Sequence, residues 1–226
     1  MKFTYFGHSC FSIEINGAHL LFDPFISGNE LAASISVDEI KADYILLSHG
    51  HADHILDCEA IALRTGAKVI CSYEIHEWLN AKGVSNTHPM NIGGKWTFDD
   101  FTLKCVVAQH SNVLPDGTYG GNPMGFIVYA NKESFYYGGD TGLTMDMQLI
   151  PAWADLKFAI LPIGDNFTMG VEDAVTAAQF VKVKQVIGVH FDTFGYIKID
   201  HAETKQAFEK AGIELILPKI GETLDL

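Results

Sequence analysis

Residues 44–54 read Tyr-Ile-Leu-Leu-Ser-His-Gly-His-Ala-Asp-His, and the rest of the chain is best read outward from them. The stretch opens as an apolar run, Tyr44-Ile45-Leu46-Leu47, with the length and character of a buried strand. It ends in four potential metal ligands, His49, His51, Asp53 and His54, within six positions. His49 and His51 stand two apart, whereas neighbours on one helix face stand three or four apart. The pair therefore belongs at a strand end or in a loop that can curl around an ion. Neutral imidazoles with a nearby carboxylate suit zinc and similar first-row metals. A solvated turn enriched in histidine by chance is a poor account of four such residues directly after a buried strand.

The bulk composition fits a globular chain. Its 226 residues are 48% apolar, enough for a substantial core, and contain no Pro/Ser-rich linker, charge block or low-complexity tract. A single domain over residues 1–226 is the expectation. The net charge of −13, from 15 basic and 28 acidic residues, disfavours nucleic acid or an anionic membrane as partner, because affinity there comes from neutralising phosphates. A small anionic substrate is not excluded, since bound cations bring their own local charge. The four cysteines, Cys10, Cys58, Cys71 and Cys105, form no C-x-x-C pair, and most lie in apolar strand-like runs as buried thiols would. The N-terminus alternates like a strand and lacks the apolar core of a leader. No apolar stretch approaches the roughly 18 residues of a membrane span. A cytoplasmic protein is expected, and the sequence leaves a homo-oligomer open.

Strands are expected at Lys2–Phe6, Phe11–Ile15 and Ala18–Phe22, with Asn16-Gly17 as a hairpin turn. A short helix around Val37–Ile40, the strand Tyr44–Leu47, the His-rich loop and a helix over Ile55–Arg64 follow. Lys68–Cys71 reads as a strand and Tyr73–Ala81 as a helix closed by Gly83. The chain then turns β-rich, at Trp96–Phe98, Phe101–Ala108, Gly125–Ala130 and Ser134–Tyr137, with a Gly/Pro loop over Leu114–Pro123. Strands Phe158–Leu161, Gln185–Val189 and Ile213–Leu217 alternate with helices Val171–Val181 and His201–Lys210, the last capped by Asp200. Strands alternating with helices, plus hairpins, indicate α/β with a mixed sheet.

Three more candidate ligands stand just beyond strand ends, where open α/β sheets gather functional groups. His110 follows Phe101–Ala108, Asp140 follows Ser134–Tyr137 in Gly138-Gly139-Asp140-Thr141, and His190 follows Gln185–Val189. Each alone reads more readily as a structural residue, and their shared placement with the first four reverses that reading.

With the spaced set His49-x-His51-x-Asp53-His54, His110, Gly139-Asp140 and His190, the chain resembles the metallo-β-lactamase superfamily from about residue 1 to residue 220. The resemblance implies a four-layer αββα sandwich with two mixed β-sheets and the site at one edge. It implies that His49, His51 and His110 bind one metal, Asp53, His54 and His190 a second, and Asp140 bridges the two. The ions would be two divalent metals, zinc in the first instance, with manganese, iron, cobalt or nickel also compatible. Asp140 replaces the Cys or Ser of the true β-lactamases, which argues against antibiotic hydrolysis. His51 stands where flavodiiron oxidoreductases carry Glu, which argues against a di-iron redox centre. Gly-His-Ser-Cys (7–10), Leu-Phe-Asp-Pro (21–24), Leu-Pro-Ile-Gly-Asp-Asn-Phe-Thr-Met-Gly (161–170) and His-Phe-Asp-Thr-Phe (190–194) look like the UPF0173-type metal-dependent hydrolases. That branch is related to the ascorbate-6-phosphate lactonase and N-acylphosphatidylethanolamine phospholipase D groups.

The implied activity is hydrolysis of an ester, lactone or phosphoester bond of a small substrate. A pair of divalent ions lowers the pKa of a bridging water towards ~7 and polarises the carbonyl or phosphoryl oxygen. No G-x-S-x-G nucleophile elbow is present to suggest a serine mechanism. Asp53 would orient the nucleophile or protonate the leaving group. His8, in the loop after the first strand, faces the site mouth or is structural with equal weight. Asp165, Asn166 and Thr168, beyond another strand end, are candidate substrate or supporting groups. Asp23, ending Ala18–Phe22, would hold a ligand histidine in one tautomer or act as a turn residue before Pro24. His19, His76, His88 and His201 are expected at the surface or at caps, and Phe191, Phe194 and Tyr196 in the core, with the lining of a pocket as their alternative. Two alternatives remain: a phosphodiesterase or nuclease, which would need a basic track, and a non-catalytic metal-stabilised binding protein, whose signature would be lost ligands.

Overall fold

The computed structural model describes residues 1–130 and 133–226. Its contacts divide the chain into two compact units. One comprises Met1–Ile92, Ser111–Pro123 and Lys219–Leu226, the other Gly93–His110 and Met124–Pro218.

The first unit contains β1 (Lys2–Gly7), β2 (Cys10–Ile15), β3 (Ala18–Phe22), β4 (Tyr44–Leu46), α1 (Ala52–Ile55), α2 (Cys58–Thr65), β5 (Lys68–Cys71), α3 (Tyr73–Ala81) and β6 (Thr87–Pro89). The second contains β7 (Lys95–Thr97), β8 (Thr102–Val107), β9 (Met124–Ala130), β10 (Glu133–Tyr137), β11 (Phe158–Pro162), α4 (Val171–Phe180), β12 (Gln185–Val189), α5 (His201–Lys210) and β13 (Glu214–Ile216). The last strand, β14 (Thr223–Asp225), returns to the first unit.

Among the described residues each unit holds one seven-stranded mixed sheet, in the orders β14-β1-β2-β3-β4-β5-β6 and β13-β12-β11-β10-β9-β8-β7. The two sheets share a plan. The β14–β3 run is antiparallel and β3–β6 is parallel; likewise β7–β10 is antiparallel and β10–β13 parallel. Within the antiparallel part of the first sheet, β2 and β3 form a tight hairpin. Asn16 and Gly17, at φ 54° and 90°, make the turn whose twist matches the flanking strands. The parallel part needs helical crossovers that cover its strands, so β4 and β11 are buried along their whole length.

One core packs Ile55 of α1, Cys58 and Ile61 of α2, and Ile75 and Leu79 of α3 with Ile45 and Val69 of the first sheet. The other packs Ala174, Ala177 and Ala178 of α4 and Phe208 of α5 with Ala159, Leu161 and Val186 of the second. All four cysteines are buried free thiols. No helix among the described residues is long and apolar enough to cross a membrane.

The structure departs from the sequence expectations in instructive places. The helix expected over Ile55–Arg64 is two helices, and the first begins at Ala52, so Asp53 and His54 lie on helix rather than loop. The break comes at Asp57, whose carboxylate is drawn away to accept from the backbone N–H groups of Ile26 (2.6 Å) and Ser27 (3.0 Å). The segment Val37–Glu39 is a single 3₁₀ turn. Strands β6 and β14 and the 3₁₀ stretch Met145–Ala152 were not expected. The two strands are three-residue sheet edges with little burial, so neither shows an alternating pattern. Phe191 is buried as expected, but Phe194 and Tyr196 are 37% and 78% exposed. They sit at and within a short 3₁₀ turn whose only buried residue is Ile197.

Candidate metal centre

In the first unit the histidines are organised by one carboxylate. Asp23 follows β3 at φ 42°, a left-handed backbone that few non-glycine residues adopt. There it is fully buried and collects donors. Its Oδ1 accepts from the Ser48 N–H (2.7 Å), and its Oδ2 from the Ser48 hydroxyl (2.6 Å) and from His54 Nδ1 (2.9 Å).

These bonds assign tautomers. A carboxylate only accepts, so His54 carries its proton on Nδ1 and keeps the lone pair on Nε2. The Ser48 hydroxyl directs its one proton at Asp23 Oδ2, so towards His49 Nδ1, 2.9 Å away, it accepts. His49 is thereby also protonated on Nδ1, with its lone pair on Nε2. One buried carboxylate thus sets both imidazoles in a ligand-ready form, directly for His54 and through Ser48 for His49.

His51 caps the start of α1, and its Nδ1 lies 2.9 Å from His49 Nε2. Two ring nitrogens this close require a proton or a cation between them. Its other nitrogen is 3.4 Å from Ser111 Oγ. Asp53, one residue into α1, accepts at Oδ2 from His8 Nε2 (3.1 Å) and lies 4.0 Å from His54 Nε2. His8, at φ 55° between β1 and β2, is buried with its ring edge-on to Phe25 and His54. His8 thus stands beside Asp53 and His54, two of the candidate ligands.

The second unit brings its candidate ligands together in the same manner. Asp140, buried after Gly138-Gly139, has its Oδ2 3.0 Å from His190 Nε2 and 3.7 Å from His110 Nε2. Thr141 stitches the ends of β8 and β10: its Oγ1 accepts from the Gln109 N–H (2.9 Å), while the Gly142 N–H donates to the Gln109 carbonyl (3.1 Å). His190 is left-handed at φ 56°. Its carbonyl lies so close to Gly164 that a Cβ there would stand 2.1 Å from it, which requires glycine at that position. His8, Asp23 and His190 all hold strained backbones, as residues at functional sites often do.

Asp165, Asn166 and Thr168 lie on the loop between β11 and α4. The Met169 N–H ties this loop to the Thr141 carbonyl (3.0 Å), next to Asp140. Asp165 accepts from the Asn166 N–H (2.7 Å) and lines a surface cavity of about 840 Å³ with Tyr196, Lys198 and Glu203. That cavity includes none of the seven candidate ligands in its wall. His201 is at the surface, where its Nε2 pairs with Asp192 (2.6 Å).

Three supporting residues escaped the sequence reading: Ser48, Asn112 and Thr141. Each adjoins or nearly adjoins a candidate ligand and carries a hydrogen-bonding side chain, which is the signal that would have found them.

The donor set fits divalent ions, because the histidines of the first unit already point lone pairs away from a buried carboxylate, as metal-ligating imidazoles do. The fold and this chemistry define a metallo-β-lactamase-type protein, and comparison with known proteins agrees. The β-lactamase superfamily domain matches residues 19–191. UPF0173 metal-dependent hydrolases from Flavobacterium johnsoniae and Methylacidiphilum infernorum are 50% and 49% identical to this chain, each alignment covering all of both proteins. The structure of Igni18, a metallo hydrolase from the archaeon Ignicoccus hospitalis, matches with a TM-score of 0.89 at 35% identity, over 99% of this chain and 97% of that one. The chain belongs to the β-lactamase superfamily and, within it, to the UPF0173 metal-dependent hydrolases.

Proposed function

We propose that this protein is a dinuclear metal-dependent hydrolase acting on an ester, lactone or phosphoester bond of a small substrate. His49, His51 and His110 would hold one divalent ion, Asp53, His54 and His190 a second, and Asp140 both. Zinc suits these ligands best, with manganese, iron, cobalt or nickel as alternatives. When bound, such ions supply Lewis acidity and a water acidic enough to act as nucleophile at neutral pH. The observation that carries the reading is the shared service of Asp23 to His49 and His54: a purely structural histidine cluster has no need of two rings held in the same tautomer.

The chain's own residues do the rest. His8 donates to Asp53 Oδ2 and holds that carboxylate in one orientation, so that Asp53 can take a proton and return it to the leaving group. Asp165 lines a cavity whose wall holds none of the seven candidate ligands, so the proposed chemistry does not call on it. The charge balance of −13 favours a small substrate over nucleic acid. Four buried free thiols agree with a reducing, cytoplasmic location.

The test is turnover of lactone, thioester, carboxylate-ester and phosphodiester panels by zinc- or manganese-reconstituted protein. His51→Ala and a chelator-treated sample serve as controls. Hydrolysis of at least one class, lost in both controls, is expected. Hydrolysis that survives in both would refute the proposal.

A further inference from the structure

We infer that Asn112 is a positioning residue for the His49–Gly50–His51 turn and governs occupancy of one of the two metals. This rests on the dinuclear reading above. Asn112 Oδ1 accepts from the Gly50 N–H (2.7 Å) and its Nδ2 donates to the Gly120 carbonyl (2.7 Å), both bonds being buried. The same carbonyl accepts from the Ser72 hydroxyl (2.7 Å), and Ser72 caps α3 by accepting from the Ile75 N–H (3.3 Å). The peptide between two ligand histidines is thus fastened, through one side-chain amide, to the start of a helix.

The amide has little freedom. A Cβ on Gly120 would lie 2.3 Å from its Oδ1, and one on Gly50 would lie 3.1 Å from Oδ1 and 2.7 Å from Leu114 Cδ2. The turn and its clamp are therefore fitted with glycine on both sides. The chemistry also selects asparagine: the position needs an acceptor and a donor back to back. Aspartate supplies only the first, and leucine neither.

Asn112 also stands two residues after His110 in the chain, with Ser111 Oγ next to His51. One side chain therefore holds the turn that carries two of the three histidines assigned to one metal. In the other set His54 and Asp53 have anchors that Asn112 does not touch, Asp23 and His8, although Asp23 also reaches His49 through Ser48. Loss of Asn112 should consequently weaken one metal and spare the other.

The test is zinc titration of the metal-free full chain against a chromophoric chelator, for wild type, Asn112→Ala and Asn112→Asp, with thermal unfolding of each metal-free protein alongside. Asn112→Ala is expected to weaken one of two zinc ions about ten- to hundred-fold and leave the other unchanged. Asn112→Asp, which keeps the acceptor for Gly50, should weaken the same ion by less. It carries the test if the alanine variant does not fold. Equal weakening of both ions, or of neither, overturns the assignment of Asn112. Fewer than two zinc ions on the wild type overturns the dinuclear reading and takes this inference with it, so the two failures are distinguishable.

Discussion

Asp23 lies in the chain 25 residues before Ser48 and 31 before His54, yet its two oxygens accept three hydrogen bonds from them. In Asp23→Asn the amide nitrogen must face one of those donors and leave it unsatisfied. That should cost about 1–3 kcal/mol of stability and weaken metal binding about ten- to hundred-fold. Thermal unfolding of metal-free protein and chelator competition would measure the two effects separately; unchanged metal affinity would remove Asp23 from the account. The cysteines give a second test at this scale. Burial pushes all four thiols up, Cys105 to about 12, so at pH 8 almost no thiolate is present. A thiol reagent should titrate none in the native protein and all four in denaturant; fast reaction of the folded protein would show that this burial is wrong. The candidate ligands were legible because their residue types and spacing are dictated by metal chemistry. The residues that orient them were not, because an orienting bond joins positions tens of residues apart and leaves no local pattern.

Gly164 and Asp200 show how single positions decide elements. A Cβ at Gly164 would meet the backbone of His190, which cannot turn aside as a side chain can. Gly164→Ala should therefore destabilise by about 1–3 kcal/mol and displace the loop that carries His190. A denaturant midpoint shift would report the first effect, and a wild-type midpoint would contradict the crowding. Asp200 accepts from the N–H groups of Ala202 and Glu203, both at 2.9 Å, and caps α5. Its replacement by alanine should lower stability by about 1 kcal/mol, readable by the same method, with metal binding unchanged. A cap of this kind was readable from the sequence, as α5 shows, because cap and helix are neighbours in the chain. The interruption between α1 and α2 was not readable. There Asp57 answers to Ile26 and Ser27, about thirty residues upstream, and the helical pattern runs on through the break.

At the scale of the whole molecule, both sheets are built to one plan, an antiparallel part joined to a parallel part in each strand order. The mixed α/β class was visible in the alternation of strand and helix patterns. The strand orders were not, since pairing is set by contacts between distant segments, and the short edges β6 and β14 carry almost no pattern of their own. The parallel halves end in the residues that matter: Ser48 and His49 follow β4, and His190 follows β12. This arrangement of donors is the ground for the central claim, that the chain holds a pair of divalent metals. The most direct measurement is elemental analysis of tag-free protein after zinc reconstitution, with His51→Ala beside it. About two zinc ions per chain are predicted, with one of them lost in the variant. Folded wild-type protein that retains no stoichiometric metal would contradict the claim.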